Sequence, residues 1–139
     1  MSILTFQTEL RPALPNVYGA SDSREFRDQL SQIDHLLGKS GMEEELVVRA
    51  LKRWEEEDLE GGEKPTEGQR QRQRRMLHYA LRCNVARHLV GESFRAFSIR
   101  LGDSALLQWF TGISAFEHRK AASKSSLERY DKVVLYRGS

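Results

Sequence analysis

From Thr66 to Gly91 the sequence reads TEGQRQRQRRMLHYALRCNVARHLVG, and no other stretch limits the fold as much. Thr66 and Gln69 stand three apart, the spacing of a reciprocal helix cap. Leu77, Leu81, Val85 and Leu89 recur every four residues, with Met76, Ala80 and Cys83 beside them. That period belongs to a helix and excludes a strand. Gly91 supplies a stop. The pattern predicts a helix of more than twenty residues as the central element. Its first half, GQRQRQRRM, is polar all round, so that half projects or lies on a charged partner.

The flanking segments fit around such an axis. Asp22 with Glu25 reads as a cap, followed by Phe26, Leu30, Ile33 and Leu37 on one helical face, with Gly38 and Gly41 bracketing the end. Ser40 with Glu43 repeats the capping pattern, and Glu43, Glu44 and Glu45 suit a helix N-terminus. Val47, Ala50, Leu51 and Trp54 form the stripe of this second helix, which is expected to fray over the acids at 55–58, before Gly61, Gly62 and Pro65. Beyond Gly91, Ser93 opens a short helix with Phe94, Phe97 and Ile99 inward. Gly102 and Asp103 break it. A further short helix carries Leu106, Leu107, Trp109 and Phe110 as far as Gly112. After a connection over 113–122, SKSSLERYDKVV starts the last helix. Its expected capping box is Ser125 with Glu128, and Leu127, Tyr130 and Val134 form its inner face. There is no hairpin signal and no internal repeat. The expected fold is all-α: one small bundle of five or six helices over residues 21–139, helix-turn-helix-like towards the C-terminus, preceded by an irregular arm over 1–20 with Pro12, Pro15 and Gly19.

Chemistry is harder to find. The four histidines, His35, His78, His88 and His118, include no pair at the three- or four-residue spacing of a helical metal site. There is no phosphate-cradling glycine motif and no nucleophile elbow. Cys83, the one cysteine, lies in an apolar stripe and reads as an inert buried thiol in a cytoplasmic protein. No run approaches a membrane span. No catalytic residue, metal or cofactor is expected.

Charge is more telling. Residues 43–63 hold nine acids and three bases, while residues 64–100 hold nine bases and two acids. The basic block suits an anionic polymer, or else the two blocks neutralise one another or are solvated. Arg70, Arg72, Arg74 and Arg75 fall within two turns, Arg82 lies further along the same helix, and Arg95 and Arg100 sit in the next. Guanidinium groups bind phosphate and release counterions. In a helix-turn-helix reading, the last helix presents Ser123, Lys124, Ser125, Ser126 and Arg129 to a groove.

The phrase LRCNVARHLVGESFRAFSIRLGDSALLQWFTGI, followed by SKSSLERYDKVV, resembles the N-terminal region of bacterial insertion-sequence transposases of the DDE type. The counterparts of the family's phrase are Ser93, Phe94, Arg95, Phe97, Gly102, Asp103, Ser104, Leu107 and Phe110. EEELVVRALKRW is similar to the family's upstream helix, and GEKPTEGQRQRQRRM to its loop into the long helix. The resemblance spans residues 43–134. It implies a domain that binds the terminal inverted repeats of a mobile element as double-stranded DNA and assists dimer assembly. Strand cleavage in the family belongs to a ribonuclease-H-like domain whose three carboxylates hold metal ions. No acid of this sequence matches them, so the expectation is a truncated module without catalysis. Phosphate contacts are expected from Arg70, Arg72, Arg74, Arg75 and Arg82, with Arg95 and Arg100 secondary, and groove contacts from Lys124, Ser125, Ser126 and Arg129. The other reading is a protein-interaction or dimerisation module that pairs its acidic and basic faces.

Overall fold

The computed structural model describes residues 13–15, 21–58, 66–113 and 122–134, without the side chains of 21, 22, 54–58, 133 and 134. Six helices run through them: α1 (Ser21–Ser40), α2 (Met42–Asp58), α3 (Glu67–Val90), α4 (Phe94–Asp103), α5 (Ala105–Thr111) and α6 (Lys124–Val134). No strand occurs among the described residues, and the all-α expectation holds. No helix there is long and apolar enough to cross a membrane. Most of the 1–20 arm, the Gly61–Gly62–Pro65 loop, residues 114–121, and the expected inward packing of Trp54 and Val134 lie outside what is described.

The long helix α3 is the axis. Its cap forms as expected: Thr66 Oγ1 accepts from the Gln69 N–H at 3.2 Å, and the Gln69 side chain accepts from the Thr66 N–H at 2.8 Å. Gly91, at φ +69°, closes the other end by donating to the Arg87 carbonyl. Every residue from Leu77 to Asn84 is buried, so the middle of α3 is enclosed all round by α2, α5 and α6. The apolar stripe does not reach its ends. Leu89 is 40% exposed and Met76 41%. A four-residue repeat advances about 40° per step in a helix of 3.6 residues per turn, so twelve residues rotate Leu89 off the core face.

The neighbours are set by single residues. Gly41, at φ +73°, turns α1 into α2, so α1 runs through Gly38 rather than ending there. The backbone of α2 stays helical to Asp58 instead of fraying. Gly102 and Asp103 are helical too. The break is Ser104 alone, which ends α4 by donating to the Arg100 carbonyl and starts α5 by accepting from the Leu107 N–H. Gln108 reaches back to the carbonyls of Leu101 and Gly102 and closes that corner. In α4 the inward pair is Phe97 and Leu101, four residues apart, and Ile99 faces solvent at 64% exposure. Phe94 is half-buried beneath the Arg87 guanidinium, 4.1 Å above its ring.

The cap of α6 is Ser123, two residues before the expected Ser125: its Oγ accepts from the Ser126 N–H at 3.2 Å. Ala122 dictates that start. Its N–H donates to the Tyr79 hydroxyl at 3.1 Å, and its carbonyl accepts from Ser98 Oγ at 2.7 Å. Leu127 is buried as expected, and Tyr130 meets the Tyr79 ring edge-on at 6.0 Å. The main core joins Leu30, Tyr79, Cys83, Phe97, Leu107, Phe110 and Leu127, with Phe26, Ile33 and Leu37 packed against it. A second, small cluster of Val47, Ala50 and Leu77 ties α2 to the first half of α3.

Two substitutions separate the faces of α4. Phe97→Ala empties a fully buried site and is expected to lower stability by about 3–5 kcal/mol. Ile99→Ala is expected to change it by less than about 0.5 kcal/mol. Urea denaturation of both variants checks the assignment, and equal losses contradict it.

Candidate nucleic-acid interface

The cations of α3 divide by burial and pairing. Arg74, His78 and Arg82 lie at four-residue spacing on the side facing α1 and α2. Gly68, Gln71, Arg72 and Arg75, at offsets of three, four and seven, share a side centred on Gly68, and the edge of it at Gln71 and Arg75 overlaps the phase of His78 and Arg82. The first set enters a polar layer. Arg82 is 7% exposed and Glu43 fully buried. Arg82 Nε donates to both Glu43 oxygens, at 2.9 and 3.1 Å, and its Nη1 donates to Asp34 at 2.5 Å and to the Phe110 carbonyl at 3.0 Å. His78 Nδ1 donates to Glu43 at 2.8 Å. His78 Nε2 lies 3.2 Å from Glu44 Oε2, an ion-pair distance without hydrogen-bond alignment. Arg74 donates to the other Glu44 oxygen.

This layer corrects two expectations. Glu43 does not complete a capping box with Ser40. Ser40 Oγ accepts from the Met42 N–H at 3.2 Å, while the Glu43 carboxylate turns into the core towards stronger donors on α3. Arg82 is not a phosphate contact, because all its reach lies inside the fold. Asp34, Glu43, Glu44 and His78 are the functional-looking residues that sequence reasoning left aside. Their one legible trace is the Arg74–His78–Arg82 spacing, a polar stripe running through a helix otherwise read by its leucines.

The remaining candidates sort as follows. Arg72 and Arg95 are exposed and Arg75 half-buried, and none pairs with a described residue. Arg70 is half-buried and already engaged. Arg74 is tied to Glu44. Arg100 holds Glu92 through Nε at 2.7 Å and through Nη2, and this hydrogen bonding keeps the Glu92 carboxyl below its usual range and raises the guanidinium. That pair walls an open depression of about 470 Å³ along the outer face of α4, with Ile99 and Ser104 on its lining. On α6, Lys124 and Arg129 are exposed, Lys124 lies 3.5 Å from Glu128, Ser125 is exposed, and Ser126 is half-buried against Ser123. The two helices meet at Tyr79, where α6 begins. Arg75 and Arg72 lie one and two turns before Tyr79 on the same side of α3, and Lys124 follows by two residues the Ala122 that Tyr79 holds.

Among the described residues no group of three or more His, Cys, Asp or Glu is arranged to hold a metal ion. Burial pushes the Cys83 thiol up to about 12, a poor nucleophile. Comparison with protein-family models, curated proteins and solved structures finds nothing that matches this chain.

Burial pulls the Glu43 carboxyl upward, but the His78 hydrogen bond and the Arg82 charge outweigh it, so its pKa lies below the ordinary 4.5. A depressed carboxylate stabilises the fold above its unfolded pKa, and the gain is lost as pH falls through the folded value. Glu43→Gln is expected to lower stability at neutral pH by about 3 kcal/mol, because Arg82 is left undercompensated. It should also flatten the acid limb. Urea titrations from neutral pH down to below 4.5 test this, and parallel acid limbs contradict it.

Proposed function

We propose that this chain is a binding module for double-stranded DNA, of the kind the transposase resemblance implies, with no strand chemistry of its own. The observation that carries the reading is the division of cations. Pairs with acids occupy Arg74 and Arg82 inside the fold and Arg100 at its surface. Arg72, Arg75 and Arg129 pair with no described acid, and the exposed Lys124 has only Glu128, 3.5 Å away on its own helix. Cations not matched by acids within the fold are suited to a phosphate backbone. The proposed helix-turn-helix-like unit is α4, α5 and α6: one residue joins the first two, and α6 packs against α4. The proposed target is the terminal inverted repeat of a mobile element, and the proposed setting is the cytoplasm, where a free thiol such as Cys83 persists.

A second reading, a protein-contact or dimerisation module, draws on Leu36 and Met42, 62% and 55% exposed on either side of the Gly41 turn. Its original basis is weaker, since part of the acidic block pairs with the basic block inside the fold through Glu43 and Glu44. A mass that rises with concentration in sedimentation, without DNA, favours it.

Fluorescence anisotropy with a mixed-sequence duplex of about 20 base pairs tests the first reading. Four phosphate contacts predict a slope of log affinity against log salt of about −3.6, and Arg72→Ala or Arg75→Ala makes it shallower by about 0.9. A flat wild-type slope refutes DNA binding.

A further inference from the structure

The geometry points to the projecting end of α3, and not to α6, as the element that enters the major groove, with Gln71 and Arg72 at the base edges and Gly68 where the helix backbone comes closest. This rests on the DNA-binding reading and assigns its specificity. Three observations carry it.

The first is reach. Ala122 fixes the start of α6 at the level of Tyr79. Full burial in α3 begins only at Leu77, and residues 67–76 precede it. At 1.5 Å per residue this is about 15 Å of helix, backed by α2 through Val47, Ala50 and Leu77 and by the Glu44–Arg74 pair. A major groove about 12 Å wide admits such an end. The shoulder formed by Lys124 and Ser125 then meets the flanking phosphates, and such contacts set position rather than sequence.

The second is chemistry. Glu67, Gly68, Gln71 and Arg72 are all exposed. Gln69 is committed to the cap, while Gln71 has no such tie. Glutamine reads adenine and arginine reads guanine through paired hydrogen bonds, and the two are adjacent here. The hydroxyls of α6 are less available: Ser123 caps the helix, and Ser126 lies between Ser123 and Arg129.

The third is Gly68. A glycine inside a helix is less favourable than alanine, and nothing among the described residues asks for one here. A Cβ at this position would meet only Thr66 Oγ1, at 4.0 Å, and the residue has no left-handed φ. Glycine is otherwise placed where a backbone must approach a ligand closely. Gly68 shares its side of α3 with Gln71, Arg72 and Arg75.

The experiment is selection of the intact chain and its variants on a pool of random-sequence duplexes, with anisotropy on the enriched duplex and on a mixed-sequence one. Wild type should enrich a short motif. Gln71→Ala should relax it and lose about fivefold or more on the enriched duplex alone. Lys124→Ala should weaken both duplexes alike and leave the motif intact. Gly68→Ala should keep or raise the thermal midpoint, yet weaken duplex binding about fivefold or more. Several results overturn the inference while DNA binding stands: no enriched motif, a motif altered by Ser125→Ala but not by Gln71→Ala, or Gly68→Ala binding as wild type. No binding to either duplex by wild type refutes the DNA-binding reading beneath it.

Discussion

The contact between Arg82 and Glu43 is the one on which the remaining arrangement depends. Arg82 hydrogen-bonds to α1, α2 and α5 at once, through Asp34, Glu43 and the Phe110 carbonyl. Its net contribution to stability need not be large, since the gain from pairing two buried charges is offset by the loss of their hydration. Its value is registry. Leucine contacts tolerate a slide of one helix along another. A guanidinium that must meet two carboxylates and a carbonyl does not, because a shift of a few ångströms leaves a buried charge without its partner. The cation–π contact of the same guanidinium with Phe110, at 5.2 Å, adds a further constraint on α5.

This layer also determines which cations are left for a ligand. α3 passes through it with Arg74, His78 and Arg82 on one side, and the acids that meet them all come from the end of α1 and the first turn of α2. The sequence's sharp division into an acidic and a basic block therefore has two parts. One is internal and closes a joint between helices. The other is carried by Arg72, which helical phase turns away from Arg74, and by Arg75, which pairs with no described acid. Arg72 and Arg74, two positions apart, have different environments although they are the same residue type.

What was legible in the chain follows from whether a feature is local. The Thr66–Gln69 box, the Ser93 cap and the Gly91 and Gly112 stops formed as read, because each involves only neighbours in sequence. Readings failed where a distant residue took over. Glu43 left its cap for His78 and Arg82. The start of α6 moved to Ser123 because Tyr79 and Ser98 hold Ala122. Ile99 was assigned inward by hydropathy, but the core lies on the Phe97–Leu101 side. The candidate interface fared the same way. Its exposed members, Arg72, Lys124 and Arg129, needed only a helical wheel, whereas excluding Arg82 needed the position of α1 and α2.

Burial gives the two sets of charges different responses to salt. Arg82, Glu43 and His78 sit where counterions do not enter, so screening reaches them weakly. Arg72, Lys124 and Arg129 face water, where interactions beyond about 8–10 Å are screened at ordinary ionic strength. The fold's electrostatics and the proposed interface's electrostatics are therefore separable within one molecule. Salt can release an anionic ligand without loosening the joint that presents the end of α3. Acid acts the other way round, because protonating Glu43 attacks the joint while the surface guanidinium groups keep their charge. The proposed interface is served by such an arrangement, because a mainly salt-sensitive joint would weaken under the same conditions that weaken binding.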